Sequence, residues 1–306
     1  MAVDYRHGLS ILEVIIYIPT FFIGLWMAFR HGFSRSAGWI FFSLFSLLQV
    51  VGSCCYLATI SSPTSKDLYM AWAICTSIGL SPLTQACISL LSRANDSIKR
   101  NRGRAINPII FKLTGTVTLL ALILSIVGTT QTTNFIQSMS NGKTQASIIL
   151  FLIAWVGLCI LAALINARRE DIEEGEKRLL IAVGLSIPLL LIRLSYSFAW
   201  VFGHNSHFNM FTGSETILLV MVVLEQILIV LGCLAIGLTL SKRAPVPSAD
   251  IDGRESQMSP SEYPMVQPRS HEAPPKGHIG GGFPRRGLIG LLVGLIVDKL
   301  NERQHR

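Results

Sequence analysis

The chain has 306 residues, of which 50% are hydrophobic and only 14% are charged. In a typical soluble domain about a quarter of the residues are charged, so this composition indicates a protein that is embedded in a lipid bilayer. The net charge of +8 does not indicate a nucleic-acid partner, because the basic residues gather in short loops without interleaved aromatic side chains.

Seven apolar stretches are long enough to cross a bilayer core, which takes about 20 helical residues. They cover residues 9–29, 38–60, 68–91, 108–128, 145–166, 179–202 and 215–240. Each stretch must be an α-helix, because lipid offers no partner to backbone N–H and C=O groups, and none alternates like a barrel strand. The sequence therefore predicts an all-α, polytopic membrane protein, a seven-transmembrane-helix bundle spanning residues 1–240.

The Lys and Arg residues of the short loops fall mostly on one side of this bundle. Thirteen lie on that side and three, Arg6, Lys66 and Lys143, lie on the other. The thirteen are Arg30, Arg35, Arg93, Lys99, Arg100, Arg102, Arg104, Arg168, Arg169, Lys177, Arg178, Lys242 and Arg243. Because an excess of Lys and Arg marks the cytosolic side, we expect the N-terminus outside and the C-terminus in the cytosol. The basic residues of 92–107 predict a collar that faces anionic lipid headgroups.

The composition changes after residue 240. Residues 241–286 hold eight of the thirteen prolines and few aliphatic side chains, which predicts a disordered cytosolic linker. Residues 287–306 contain a short apolar run between basic residues, too short to cross a bilayer. This last segment could form an interfacial helix, or stay loosely ordered because its three glycines weaken a helix. The sequence does not indicate which partners the cytosolic tail binds.

Two charged residues lie deep inside the last two spans. Arg193 is about nine residues, or about 13 Å, from the outer end of the sixth span. Glu225 is about eight residues, or about 12 Å, inside the seventh. Because the two helices are joined by a short loop, the matching depth predicts an Arg193–Glu225 ion pair.

Other polar and aromatic side chains gather near that depth: Tyr196, Trp200, Tyr17, Glu13 and Gln49. Polar groups inside a membrane are costly, and they usually face the bundle interior or a cavity. The cluster could therefore line a cavity that opens toward the outer leaflet and binds a ligand. Alternatively, the same groups could be interhelical hydrogen bonds and ion pairs that only fix the helix register.

The sequence holds no motif of a soluble enzyme, such as HExxH or GxSxG. His204 and His207 are three residues apart in one loop, a spacing that often arises by chance. We therefore expect no metal site and no cofactor.

Short motifs in four parts of the chain resemble a fungal group of seven-helix membrane proteins classified as a domain of unknown function. They are Glu13, Tyr17 and Pro19; Arg30-His31-Gly32 with Gly38-Trp39; Gly79-Leu80-Ser81-Pro82; and Arg193 with Tyr196. The resemblance covers residues 5–240, and it implies the seven-helix fold without implying an activity. In topology the chain is also similar to fungal lipid-translocating exporter-like proteins.

Two classes of function fit these features. The first is a bundle that binds, transports or senses a hydrophobic small molecule or lipid, with membrane lipid around it. The alternative is an intramembrane acid-catalysed enzyme similar to terpene cyclases, in which Glu13 donates a proton and nearby aromatic rings stabilise a cation. Glu225 is the poorer proton donor, because Arg193 beside it would keep it charged. A signalling receptor is a third possibility, but the chain shows no coupling motif.

Overall fold

The computed structural model describes residues 5–31, 37–103, 105–130, 141–203 and 213–240. The predicted linker 241–286, the predicted end segment 287–306, and the loop residues His204 and His207 lie outside these residues. All the described residues belong to one unit.

The described chain is helical, and it contains no β-strand. Its α-helices are α1 (Tyr5–His31), α2 (Ala37–Ala58), α3 (Lys66–Ile78), α4 (Leu80–Arg102), α5 (Pro108–Thr130), α6 (Gly142–Asn166), α7 (Glu174–Gly203), α8 (Glu215–Leu218) and α9 (Glu225–Leu238). The third span consists of α3 and α4, and the seventh consists of α8, a π-helical turn at Leu219–Leu224, and α9. All seven spans are long and apolar enough to cross a membrane. The predicted all-α seven-helix fold is confirmed.

The third span lies at the centre of the bundle. In the most apolar stretch of this span 72% of the residues are buried, against 28% to 56% in the corresponding stretches of the other spans. Helix α4 packs against α2, α5, α6 and α7, and α9 packs against α1, so the first and last spans are neighbours. Many large aliphatic side chains on the outer helices remain exposed, Ile181 at 66% among them, which suits a surface that meets lipid.

Small residues let these helices approach closely. A methyl group added at Gly237 in α9 would overlap the side chains of Met27 in α1 and Trp39 in α2. Without a hydrophobic driving force between helices in lipid, such close contacts supply much of the packing energy. Gly237 therefore marks the place where the last span closes against the first two.

The third span is interrupted at Gly79, between α3 and α4. Pro82 follows in the first turn of α4, where a backbone N–H has no intrahelical partner to lose. A Cβ atom at Gly79 would lie 2.9 Å from Phe45 Cε2 and 3.3 Å from Gln49 Nε2, so helix α2 approaches closely here. The interruption leaves the last carbonyl groups of α3 in the middle of the bundle.

Helix α4 extends to Arg102, eleven residues beyond the end predicted for the third span. Its basic residues form ion pairs with acidic residues that precede and begin α7. These pairs are Arg93–Glu176, Arg100–Glu173, Arg100–Glu176 and Arg102–Asp171. Arg93 is buried, with its Nε 3.4 Å from a Glu176 oxygen. The prediction of a lipid-facing collar is therefore wrong for Arg93, and the other two arginines join α4 to the start of α7.

Candidate functional site

The π-helical turn Leu219–Leu224 directly precedes two buried polar residues, Glu225 and Gln226. A π-helical turn is rare, and such turns occur frequently at functional sites. The Gln226 Oε1 accepts a hydrogen bond of 2.5 Å from Gln49 Nε2, which joins the seventh span to α2. The predicted inward position of Gln49 is thus explained by a partner on the seventh span.

Glu13 and Tyr17 lie on the interior face of α1. The Glu13 carboxylate accepts a hydrogen bond of 2.5 Å from the Ser53 hydroxyl of α2. Tyr17 is fully buried and packs edge-on against Phe45. Its hydroxyl has no hydrogen-bond partner among the described residues. We call Glu13, Tyr17, Gln49, Glu225 and Gln226 the inner polar group.

The Arg193–Glu225 ion pair predicted from depth is not formed. The guanidinium of Arg193 instead donates a 2.9 Å hydrogen bond to the Ser197 hydroxyl and a 3.2 Å bond to the Thr76 carbonyl. No Arg193–Glu225 pair occurs among the ion pairs of the described side chains, and neither carboxylate oxygen of Glu225 has a hydrogen-bond partner there. The prediction of a direct ion pair is therefore wrong.

The interruption of the third span explains the direction of Arg193. Thr76 lies in the last turn of α3, three residues before the interruption at Gly79, and its backbone carbonyl accepts the hydrogen bond from Arg193. Arg193 is 97% buried and its guanidinium carbon lies 5.6 Å from the Tyr196 ring centre. The arginine is thus held by the end of α3 and by two side chains of its own helix.

A cavity of about 60 Å³ adjoins Arg193 under the ends of α5, α6 and α7. Its lining consists of Ser77, Leu80, Ser125, Thr129, Thr144, Ser147, Ile148, Phe151, Arg193, Leu194, Tyr196, Ser197, Trp200 and Val201. Since a water needs roughly 10–15 Å³ of such space, the cavity holds about four to six water-sized groups. We call it the Arg193 cavity.

The predicted site residues separate into two places. Arg193, Tyr196 and Trp200 line the Arg193 cavity. The residues of the inner polar group are not among its lining residues, so this cavity brings together three of the seven residues of the predicted cluster. In the part of the chain that the structure describes, no Asp or Glu side chain lines the Arg193 cavity, so the candidate proton donor Glu13 lies apart from it.

Six hydroxyl side chains of the cavity were not predicted: Ser77, Ser125, Thr129, Thr144, Ser147 and Ser197. Serine and threonine are common in membrane helices and carry no sequence signal of their own. Gly128 was the available clue, because a Cβ atom there would overlap Thr144 and so marks a close approach of α5 and α6.

The two walls of the cavity differ in their hydrogen-bonding character. Thr129 and Ser147 donate to carbonyl groups of their own helices, so their oxygen lone pairs act as acceptors on the α5 and α6 side. On the α7 side, the Arg193 Nε and the Trp200 Nε1 are buried donors without a partner among the described residues. Among all the residues that the structure describes, no three His, Cys, Asp or Glu side chains come together as they would around a metal ion.

Residues 3–243 match the model of a family described as a domain of unknown function (DUF7702), and the chain belongs to that family. The match confirms the predicted resemblance to such a family, while the fungal origin and the likeness to lipid-translocating exporters stay predictions. No curated protein and no solved structure shows a significant match to the chain.

Proposed function

We propose that this DUF7702 membrane protein binds a hydrophobic small molecule or lipid in the Arg193 cavity, in order to transport or sense it. The observation that carries the proposal is a buried arginine beside a cavity, inside a bundle whose outer surface is apolar. A charged side chain at such depth is costly and marks substrate or ligand pathways in membrane proteins.

The lining of the cavity suits a molecule with one polar end. Apolar side chains of Leu80, Ile148 and Phe151 share the wall with polar groups of α7. Ligand sites combine a mainly apolar lining with a few polar groups that fix the orientation of the ligand. The cavity volume accommodates a small polar head, so the apolar part of the ligand would continue along the apolar side chains.

The binding proposal is tested by photolabelling the full-length protein in lipid nanodiscs. The probes are C16 chains that carry a diazirine and end in a carboxylate, an alcohol or an amine. We expect labelling near the cavity that an excess of unlabelled chain displaces for at least one probe. The substitution Thr129→Phe should abolish it by filling the cavity, whereas Thr116→Phe, on the exposed face of the same helix, should not. Labelling that no competitor displaces would refute the proposal.

We further propose that the N-terminus lies outside and the C-terminus in the cytosol, in a plasma membrane or an endomembrane. The distribution of thirteen against three basic loop residues supports this orientation. An exposed cysteine at Lys143→Cys should react with a membrane-impermeant maleimide on intact cells or vesicles of matching sidedness. Arg168→Cys should react only after permeabilisation, and the opposite pattern would reverse the orientation. Wild-type protein is the control, because all six native cysteines lie within the spans.

A further inference from the structure

Two buried hydrogen-bond donors without a partner among the described residues belong to side chains that line the Arg193 cavity. They are the Nε of Arg193 and the Nε1 of Trp200, seven residues apart and so two turns along the same face of α7. Buried donors are almost always paired, and each unpaired one costs free energy. These unpaired donors favour a ligand that has a hydrogen-bond acceptor.

The contacts of Arg193 leave one edge of its guanidinium open. Its terminal nitrogens donate to Ser197 and to Thr76, and these two bonds are sufficient to hold the side chain at the end of α3. A guanidinium has five N–H donors in a planar fork, so donors that include the Nε–H remain. A purely structural role for Arg193 accounts for the first two bonds and leaves the Nε–H unexplained.

Charge and shape together select the ligand class. Among the described residues no carboxylate lines the cavity, so the part of its wall that the structure describes carries a cation and no anion. A carboxylate fits the edge of a guanidinium with two parallel hydrogen bonds, and its charge suits a buried arginine. The volume of about 60 Å³ holds a carboxylate and the first methylene groups of a chain, and Leu194 and Val201 offer apolar contacts beside it.

We propose that the ligand of the Arg193 cavity is an amphipathic acid, whose carboxylate binds the Nε edge of Arg193 and whose apolar chain follows the apolar wall. Trp200 donates a second hydrogen bond to the same head group. The inference rests on the proposed function, because it names the chemical class of the molecule bound in that same cavity.

The test compares head groups on one chain, using the full-length protein in nanodiscs. Hexadecanoate, hexadecanol and hexadecylamine compete with the diazirine-labelled chains for the Arg193 cavity. For each competitor we measure the concentration that reduces labelling by half. A hydrogen bond to a charged group is worth about tenfold or more in affinity, so hexadecanoate should bind at least about tenfold more tightly than hexadecanol. Hexadecylamine should bind most weakly.

Two substitutions separate the head-group contact from a structural role. Arg193→Gln should reduce hexadecanoate binding to the level of hexadecanol and leave hexadecanol binding unchanged. Trp200→Phe keeps an aromatic ring and removes only the N–H, so it should weaken hexadecanoate about threefold or more and hexadecanol by a smaller factor, because a charged acceptor forms the stronger bond. Because Trp200→Phe conserves packing, it keeps the test informative even if Arg193→Gln fails to fold.

The outcomes distinguish the proposed ligand class from the proposed binding function. Equal competition by the three head groups would overturn the amphipathic acid and leave the binding function standing. The amphipathic acid would also be overturned if both variants bound all three competitors more weakly by the same factor. Displacement of no probe by any competitor would instead refute the proposed function itself.

Discussion

Glu173 and Glu176 offer a matched pair of carboxylates for measuring what joins α4 to the start of α7. Both contact Arg100, but the Glu176 side chain is 6% exposed and also faces the buried Arg93, whereas the Glu173 side chain is 49% exposed. Glu176→Gln removes a buried charge and keeps the shape of the side chain. Glu173→Gln makes the same chemical change at an exposed position.

The expected difference follows from burial. Removing one partner of a buried ion pair costs about 3–5 kcal/mol, and an exposed pair contributes about 0–1 kcal/mol. Since glutamine can still accept a hydrogen bond from Arg93, we expect Glu176→Gln to cost about 2–3 kcal/mol. At about 2–4 °C per kcal/mol, the unfolding midpoint should fall by about 4–12 °C, against less than about 4 °C for Glu173→Gln.

Thermal unfolding of the purified full-length protein measures both midpoints in one detergent and at one scan rate, because the unfolding of such proteins is often irreversible. Repeating the scans in 1 M NaCl should remove most of the Glu173→Gln effect and little of the Glu176→Gln effect, since salt screens exposed charges. If Glu176→Gln is no less stable than Glu173→Gln, the buried pair does not hold α4 to α7.

The same unfolding assay checks two further contacts. Gly237→Ala should lower stability by about 1–3 kcal/mol, because its methyl group overlaps neighbouring side chains, whereas Gly232→Ala, whose Cβ would lie 3.8 Å from its nearest neighbour, should be nearly neutral. Equal effects would show that α9 does not close tightly at Gly237. Gln49→Leu should cost about 1–3 kcal/mol by leaving buried Gln226 without its partner, and adding Gln226→Leu should restore part of that loss. Strictly additive losses would argue against the amide hydrogen bond.

The seven spans could be predicted because lipid imposes their length and hydropathy on each segment separately. The end of the third span could not, because its last turns are polar. Residues 92–102 carry basic side chains whose ion pairs with Asp171, Glu173 and Glu176 join them to α7. Their partners lie more than 60 residues away in the chain, where hydropathy gives no information.

The interior position of Arg193 could be predicted from the cost of charge in lipid, but its partner could not. Depth along two helices says nothing about their rotation, and the Thr76 carbonyl that binds Arg193 is a backbone group of a third helix, which carries no side-chain signal in the sequence. The separation of the Arg193 cavity from the inner polar group has the same origin. Residues at one level can face different helices, and only the packing of the bundle decides which.

The hydrogen bond between Gln49 and Gln226 also bears on how the chain is made. The two residues are 177 positions apart, and synthesis at roughly 5–20 residues per second separates their emergence by about 9–35 s. During that interval the first two helices are already in the membrane, while Gln49 has no seventh span to bind. Until Gln226 is synthesised, the polar side chain of Gln49 needs another partner. Either a neighbouring protein contacts it transiently, or the insertion machinery releases α2 late. Ribosome-bound chains that end before residue 226 should therefore crosslink to insertion factors through position 49.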